Sequence, residues 1–489
     1  MQLKSLFSRD DIIIQGRGEI EIASLTADSR AVRPGDLFFA LAGSKQDGAR
    51  YIADALARGA AAVCIDDASR VTIAPDRAVV QSPDPRRALA LAAASLYARQ
   101  PACTVAVTGT SGKTSTAEFT RQIFASLGHS AASLGTIGIV KPGGSVYGSL
   151  TTPDPVALHA SLAGLAGEGV THLALEASSH GLDQRRLDGV RLAAGAFTNL
   201  GHDHLDYHAD MDAYLRAKIR LFDSLLAPGQ PAVVNADGER AGDVIEAINA
   251  RGLPLFTTGA LGETLRLAGL VRSGFTQHLT VAHSGRTQTV NLKVLGDYQA
   301  SNALLAAGLA IATGARPEDA VAAISTVRGV KGRLELVGGH RGGLIVIDYA
   351  HKPEALAAAL DALRAFASSR LICVFGCGGD RDRQKRPVMG RIAARKADVV
   401  IVTDDNPRSE LPEAIRASIL SAAAGAHEIA DRGEAIRAGI GMLGLGDVLL
   451  IAGKGHETGQ IIGEEVIPFS DHEVIEEALG GGARGAANG

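Results

Sequence analysis

The feature that most constrains this chain is an apolar, partly β-branched run that meets a glycine turn and then an amphipathic stretch. It reads VAVTGTSGKTST over residues 105–116 and continues as AEFTRQIFASLG. That order predicts a strand, a loop and a helix, and a loop so placed presents backbone N–H groups at a helix N-terminus, where an anion is stabilised. A phosphate loop needs such N–H groups, glycines that permit the turn, a lysine for the terminal phosphates and a hydroxyl for a metal. Gly109, Gly112, Lys113 and Thr114 supply all four, with Thr110, Ser111 and Ser115 completing the loop. In the common Gly-x-x-x-x-Gly-Lys-Thr form the first glycine would fall at Val107, so this loop is two residues shorter. The plainer alternative is a glycine turn with a solvated lysine; the apolar strand before it and the helix after it favour phosphate. A guanine reader would usually carry Asn-Lys-x-Asp, and no asparagine here precedes a lysine.

With 489 residues the chain is too long for one ordinary core, and about three domains of roughly 100–200 residues each are expected. Hydrophobic residues make up 46% and aromatics 4%, with 58 glycines, a balance that suits alternating strands and helices with tight turns. The fold class expected is α/β in three domains. Residues 1–99 read as a small α/β unit, 100–330 as a central phosphate-loop unit with a mainly parallel sheet, and 331–489 as a Rossmann-like unit. A net charge of −4 with interspersed signs supplies no field for nucleic acid or an anionic membrane, so no nucleic-acid partner is expected. Cys64, Cys103, Cys373 and Cys377 are too scattered for a disulfide framework and read as buried, reduced thiols. The first ten residues turn acidic before any apolar run suited to export, and the run from residue 303 is too short for a membrane span. A cytoplasmic protein without membrane insertion is therefore expected. The glycine- and alanine-rich tail reads as frayed.

The shortened Gly-Thr-x-Gly-Lys-Thr-Ser loop resembles that of the Mur ligases and the folylpolyglutamate synthases, which form amide bonds from ATP through an acyl phosphate. The resemblance runs over nearly the whole chain in the same three-domain order. It implies a small N-terminal domain for a uridine-diphosphate substrate, a central ATPase domain and a C-terminal amino-acid domain.

Glu176 ends the strand LALEAS, where a carboxylate can reach a Mg²⁺ held with Thr114; its plainer reading is a helix-capping acid. In NLGHDHLDYHADM, His202, His204 and His208 with Asp203 and Asp206 would by composition suggest a transition metal. The resemblance instead places His204 near a second Mg²⁺. Lys218 would by default be a solvent lysine; the resemblance makes it the residue that reacts with CO₂ to give a carbamate, an anionic oxygen ligand. Metal ligands implied are thus Thr114, Glu176, His204 and Lys218, around two Mg²⁺ ions. Further ATP contacts implied are Asn302, Arg333 and Asp348.

For the donor substrate, UDP-N-acetylmuramoyl-L-alanyl-D-glutamate, the resemblance implies Ser29 and Arg30 in ADSRAVRPGD, then Thr151, Thr152, Ser178, Gln184 and Arg186. For the acceptor it implies Asp405, Asn406, Pro407 and Arg408 in TDDNPRSE, with Arg381, Gly453 and Glu457. These match the branch that adds meso-diaminopimelate in peptidoglycan precursor synthesis. A distal carboxylate suits a bidentate arginine, whereas the ammonium of lysine would be repelled. GCGG at 376–379 invites a dinucleotide reading, but the third glycine of that pattern would fall at Arg381. Rivals are a lysine-adding ligase, a folylpolyglutamate synthase, and a phosphate-loop binding protein without ligase activity. A monomer is expected.

Overall fold

The computed structural model describes residues 1–7, 12–43, 47–72, 74–146, 148, 150–204, 207–273 and 276–480. Asp206 and most of the tail, read above as ligand candidate and frayed end, lie outside the described residues. The chain divides into two compact units. The first comprises 1–266, 283–285 and 304–323; the second comprises 267–282, 286–303 and 324–489.

Within the first unit, five short strands near the N-terminus form one sheet, with Leu25–Thr26, Leu37–Phe39, Ala62–Ile65 and Ala78–Gln81 parallel and Ile13–Gly16 antiparallel at one edge. The central sheet orders its parallel strands Leu255–Gly259, Ala232–Asn235, Leu192–Phe197, Cys103–Thr108, His172–Glu176 and Ala131–Gly135. Cys103–Thr108 lies in the middle and is buried along nearly its whole length, as a parallel strand covered on both faces must be. All six point their carboxyl ends the same way, so Thr108, Glu176 and Phe197 deliver their following loops to one rim. Cys103 is only partly buried, which corrects the expectation of four buried thiols: it opens its strand at the opposite rim, where less covers it. All four cysteines are free.

The second unit carries a 6-stranded sheet ordered Glu335–His340, Gly343–Asp348, Val448–Ala452, Leu371–Phe375, Val399–Val402, His427–Glu428. Only the first is antiparallel. Pro353–Arg364 and Lys385–Lys396 are among the helices that cover it. A separate two-stranded hairpin, Gly459–Ile462 with Glu465–Pro468, follows the Val448–Ala452 strand. No helix of the described residues is long and apolar enough to cross a membrane.

The second unit also holds a fully buried ion pair. Arg432 donates through Nε to Asp471 Oδ1 at 2.7 Å and through Nη2 to Oδ2 at 2.8 Å, both side chains being 0% exposed. A third bond runs from Nη2 to the Ala452 carbonyl at 3.1 Å. Removing one partner strands the other charge away from water. Asp471→Ala is expected to cost about 3–5 kcal/mol of unfolding free energy, read from the denaturant midpoint of the second unit's transition.

Candidate active site

The helix Lys113–Ser126 begins without a side-chain cap, because its N-cap is Gly112 in the left-handed conformation at φ +85°. Three other helices of the unit are capped by the side chains of Asp154, Ser178 and Asp210. Here the helix opens directly from the glycine loop instead, the arrangement that receives phosphate. Gly109 has φ +139°, and a Cβ there would collide with the Thr198 hydroxyl and lie 3.1 Å from the Asn199 nitrogen. The neighbouring strand end is thereby fastened to the loop: Ser111 N donates to Asn199 Oδ1 at 3.1 Å and Thr198 Oγ1 to the Ser111 carbonyl at 2.7 Å.

Two lysines converge on one carbonyl. Lys113 Nζ donates to Gly109 O at 2.9 Å and to Thr110 O at 2.8 Å, and Lys218 Nζ donates to the same Gly109 O at 2.7 Å. Lys218 is 1% exposed, far from the solvated default for a lysine. Tyr214, one turn earlier on Met211–Arg220, covers its amine with the ring centroid 4.2 Å away, and the Tyr214 hydroxyl meets Thr110 Oγ1 at 3.1 Å. The sequence reading missed Tyr214; the signal was its i−4 spacing from Lys218, which puts the two side chains on one helix face.

Glu176 is buried, and its carboxylate accepts from Thr114 Oγ1 at 3.0 Å, Thr136 N at 2.8 Å and Thr136 Oγ1 at 3.2 Å. A Cβ on Gly135 would occupy the carboxylate's place, so the glycine makes the room. Thr136 also touches Thr151 at 3.0 Å. Thr152 Oγ1 donates to the Glu176 carbonyl and accepts from Ser178 N and Oγ, while Arg186 Nη1 donates to the Thr152 carbonyl at 2.6 Å. Gln184 braces Arg186 through Oε1 at 2.7 Å. His204 holds φ +54° beside Asp203, with its ring against that of His180 at 4.9 Å. No group of three or more His, Cys, Asp or Glu side chains suited to a metal occurs among the described residues, so the transition-metal cluster suggested by composition does not form there.

A cavity of about 560 Å³ lies in the same unit, lined by Thr26, Asp28, Arg86, Asp154, Gln184 and Arg186 among others. Ser29 and Arg30 do not line it; Arg30 is exposed and bonded to both oxygens of Asp28. Arg86 was not singled out from sequence, where it is one arginine of a helix start.

Asn302, Arg333 and Asp348 belong to the second unit. The Arg333 guanidinium lies 4.7 Å from the centre of the Tyr349 ring, and Asp348 accepts from Leu334 N at 2.7 Å. Burial pushes Asp348 up to about 6, against the opposing pull of Arg333. Burial, with the charge of Lys352, pushes His351 down to about 4.

At the end of Val399–Val402 the chain reads Asp-Asn-Pro-Arg. Asn406 donates to Glu457 Oε2 at 3.0 Å and accepts at Oδ1 from Lys454 Nζ at 2.9 Å and Ile461 N at 3.0 Å. Arg408 sits at φ +51°, its Nη1 donating to the Gly379 carbonyl at 2.9 Å. The glycines of GCGG serve this loop: a Cβ on Gly378 would stand 2.8 Å from Arg408 Nη1, and one on Gly379 would strike the Pro407 carbonyl. Gly453, at φ +117°, packs against Asp405. Arg381 is exposed and donates to the Asp380 carbonyl.

Three family models match: the Mur ligase middle domain over 107–310, the glutamate ligase domain over 332–455 and the catalytic domain over 21–97. The chain belongs to the Mur ligase family. This Mur ligase is 57% identical to the UDP-N-acetylmuramoyl-L-alanyl-D-glutamate–2,6-diaminopimelate ligase of Bradyrhizobium diazoefficiens, over 98% of the chain and 99% of that relative. A solved structure of a ligase with the same description is 31% identical, covers 98% of both chains and superposes with a TM-score of 0.69. The ADP complex of a Mycobacterium tuberculosis folylpolyglutamate synthase covers 76% of this chain and 92% of its own with a TM-score of 0.63. At 18% identity that likeness is one of fold.

Gly109→Ala is expected to weaken nucleotide binding more than about tenfold, measured by titration of a fluorescent nucleotide, while Gly164→Ala, whose Cβ would meet nothing within 4 Å, leaves binding unchanged. For Asp348 the folded value of about 6 exceeds the ordinary 3.8, so the unfolded chain ionises first and stability falls as pH rises between them. The melting temperature of Asp348→Asn should therefore gain on the wild type from about pH 4 to pH 6 and run parallel above. His351 has the opposite slope over nearly the same span and masks this in the wild type.

Proposed function

We propose that this Mur ligase adds meso-diaminopimelate to UDP-N-acetylmuramoyl-L-alanyl-D-glutamate, using ATP, in the cytoplasmic assembly of peptidoglycan precursors. The reading is supported most by the Asp405–Arg408 loop, whose arginine is clamped against glycine backbone beside the Asn406–Glu457 pair. The domains proposed are 1–99 for the uridine-diphosphate substrate, 100–330 for ATP and 331–489 for the amino acid, in a monomeric enzyme.

Lys113 and the N–H groups of residues 109–115 hold the triphosphate, and Asn302, Arg333 and Asp348 contact the nucleotide. Arg186, braced by Gln184, holds the anionic donor with Thr151, Thr152 and Ser178, and Ser29 and Arg30 lie toward its uridine diphosphate. The D-glutamyl γ-carboxylate attacks the γ-phosphorus, forming an acyl phosphate and releasing ADP. The acceptor amine then attacks the acyl carbon, and the tetrahedral intermediate expels phosphate.

The donor set around Glu176 fits Mg²⁺. A buried carboxylate meeting the hydroxyls of Thr114 and Thr136 offers the hard oxygens that this ion selects. Thr114, Glu176, His204 and carbamylated Lys218 would hold two ions, which when bound neutralise charge on the phosphates. Two cationic amines on one carbonyl repel each other, and conversion of the buried Lys218 to a carbamate relieves that repulsion while adding an oxygen ligand.

Arg408 and Glu457 meet the two charges at the far end of the acceptor, with Arg381, Asp405, Asn406, Pro407 and Gly453 shaping the pocket. A folylpolyglutamate synthase is disfavoured by the 21–97 domain match and by the Asp-Asn-Pro-Arg loop. In a phosphate-release assay dependent on the muramoyl dipeptide, diaminopimelate should exceed lysine in kcat/KM by at least about a hundredfold. Arg408→Met should remove most of that ratio; equal rates with the two amino acids in the wild type would refute the assignment.

A further inference from the structure

Lys454 in AGKGHE is 0% exposed, yet neither motif nor spacing marks it as more than a polar residue after a strand. Its ammonium has three protons, and the structure uses each of them. One goes to Asn406 Oδ1 at 2.9 Å, one to Glu457 Oε2 at 3.3 Å and one to the Gly459 carbonyl at 2.7 Å. The first two partners belong to the amino-acid pocket. The third opens the hairpin Gly459–Ile462 with Glu465–Pro468.

The hairpin closes the same circuit from outside. Gln460 Nε2 donates to the Asp405 carbonyl at 2.7 Å, and Ile461 N donates to Asn406 Oδ1 at 3.0 Å. Arg408 N donates to the Ile461 carbonyl at 3.0 Å, and Gly463 N donates to the Arg408 carbonyl at 2.8 Å. Asp405, Asn406 and Arg408 are thus each tied to the hairpin. The two backbone bonds hold Arg408 at φ +51°, a conformation that costs energy in a residue other than glycine. The hairpin has little core of its own, since Ile462, Val466 and Ile467 are exposed. Its anchorage is Lys454 and the loop it grips.

We infer that Lys454 is a positioning residue for the acceptor pocket and that the 459–468 hairpin acts with it as a strap. Lys454 fixes the Asn406 amide and the Glu457 carboxylate directly, and fixes the left-handed Arg408 through Gly459 and its neighbours. A methionine of similar length would leave a half-buried carboxylate and a buried amide oxygen without this donor, and would release the hairpin's first residue. Both the charge that meets the acceptor's ammonium and the geometry of the arginine that meets its carboxylate would then loosen together. This inference rests on the reading of the pocket as the amino-acid site.

The test is steady-state kinetics of Lys454→Met and Gln460→Ala, with KM determined separately for diaminopimelate, ATP and the muramoyl dipeptide. Calorimetric titration of diaminopimelate accompanies it. KM for diaminopimelate should rise about tenfold in Gln460→Ala and further in Lys454→Met, with preference over lysine reduced, while the other two KM values stay within about twofold. Should Lys454→Met fail to fold, Gln460→Ala decides alone, because it removes one bond at a partly exposed position. A diaminopimelate KM unchanged in the folded variants, or a parallel rise in all three KM values, would overturn the inference. A wild type that ignores diaminopimelate instead overturns the proposed function, and the variants are then read with whichever amino acid the wild type consumes.

Discussion

The convergence of two lysine amines on the Gly109 carbonyl is the contact around which the glycine loop of the first unit is built. Lys113 comes from the loop itself and Lys218 from a helix more than 100 residues later. Gly109 has no side chain, which lets the Thr198–Asn199 strand end close on the same loop. The same closeness brings Tyr214 onto Thr110, so one hydroxyl pair joins the phosphate loop to the helix that carries Lys218. The shortened loop therefore fixes where a buried amine sits relative to the helix N-terminus. The dipole of that terminus favours anions, which makes two adjacent ammonium groups an unfavourable ground state in the absence of phosphate.

The second unit solves a different problem with buried charge. Arg432 and Asp471 form a pair with no exposure at all, and Lys454 lies equally deep between Asn406, Glu457 and Gly459. Buried pairs add little net stability over apolar packing, because desolvation offsets attraction. What they supply is direction. Each charge is committed to named acceptors, and a shift of any one would leave another unsatisfied, which discourages alternative packings of a rim made largely of loops.

Much of this was readable from the residues. Strand, loop and helix at 103–126, the ends of the strands at Glu176 and Val402, and the three α/β sheets follow from hydrophobic runs and turn chemistry that act locally. Residues whose importance lies in long-range contact were not readable. Thr136 and Arg86 carry no pattern that points to Glu176 or to the cavity, and Lys454 looks like any lysine in a glycine-rich turn. GCGG shows the limit from the other side: its glycines resemble a dinucleotide turn, but their physical cause is the close approach of Arg408 and Pro407, which only the fold reveals.

That close approach bears on how the proposed amino-acid pocket would discriminate by charge. Rejecting a lysine side chain through repulsion requires that the arginine facing it cannot turn aside, since a flexible guanidinium would swing into solvent and the penalty would vanish. Arg408 is denied that freedom three times over: by backbone bonds to Ile461 and Gly463, by the bond from Nη1 to the Gly379 carbonyl, and by the bare glycine at 378 against which its guanidinium rests. The glycines thus do not merely permit the contact; a side chain at either position would push the arginine out of register. In the proposed acceptor site, rigidity is what would convert a charge on a loop into a criterion for the substrate, and it is obtained here from a left-handed residue that the surrounding bonds keep in place.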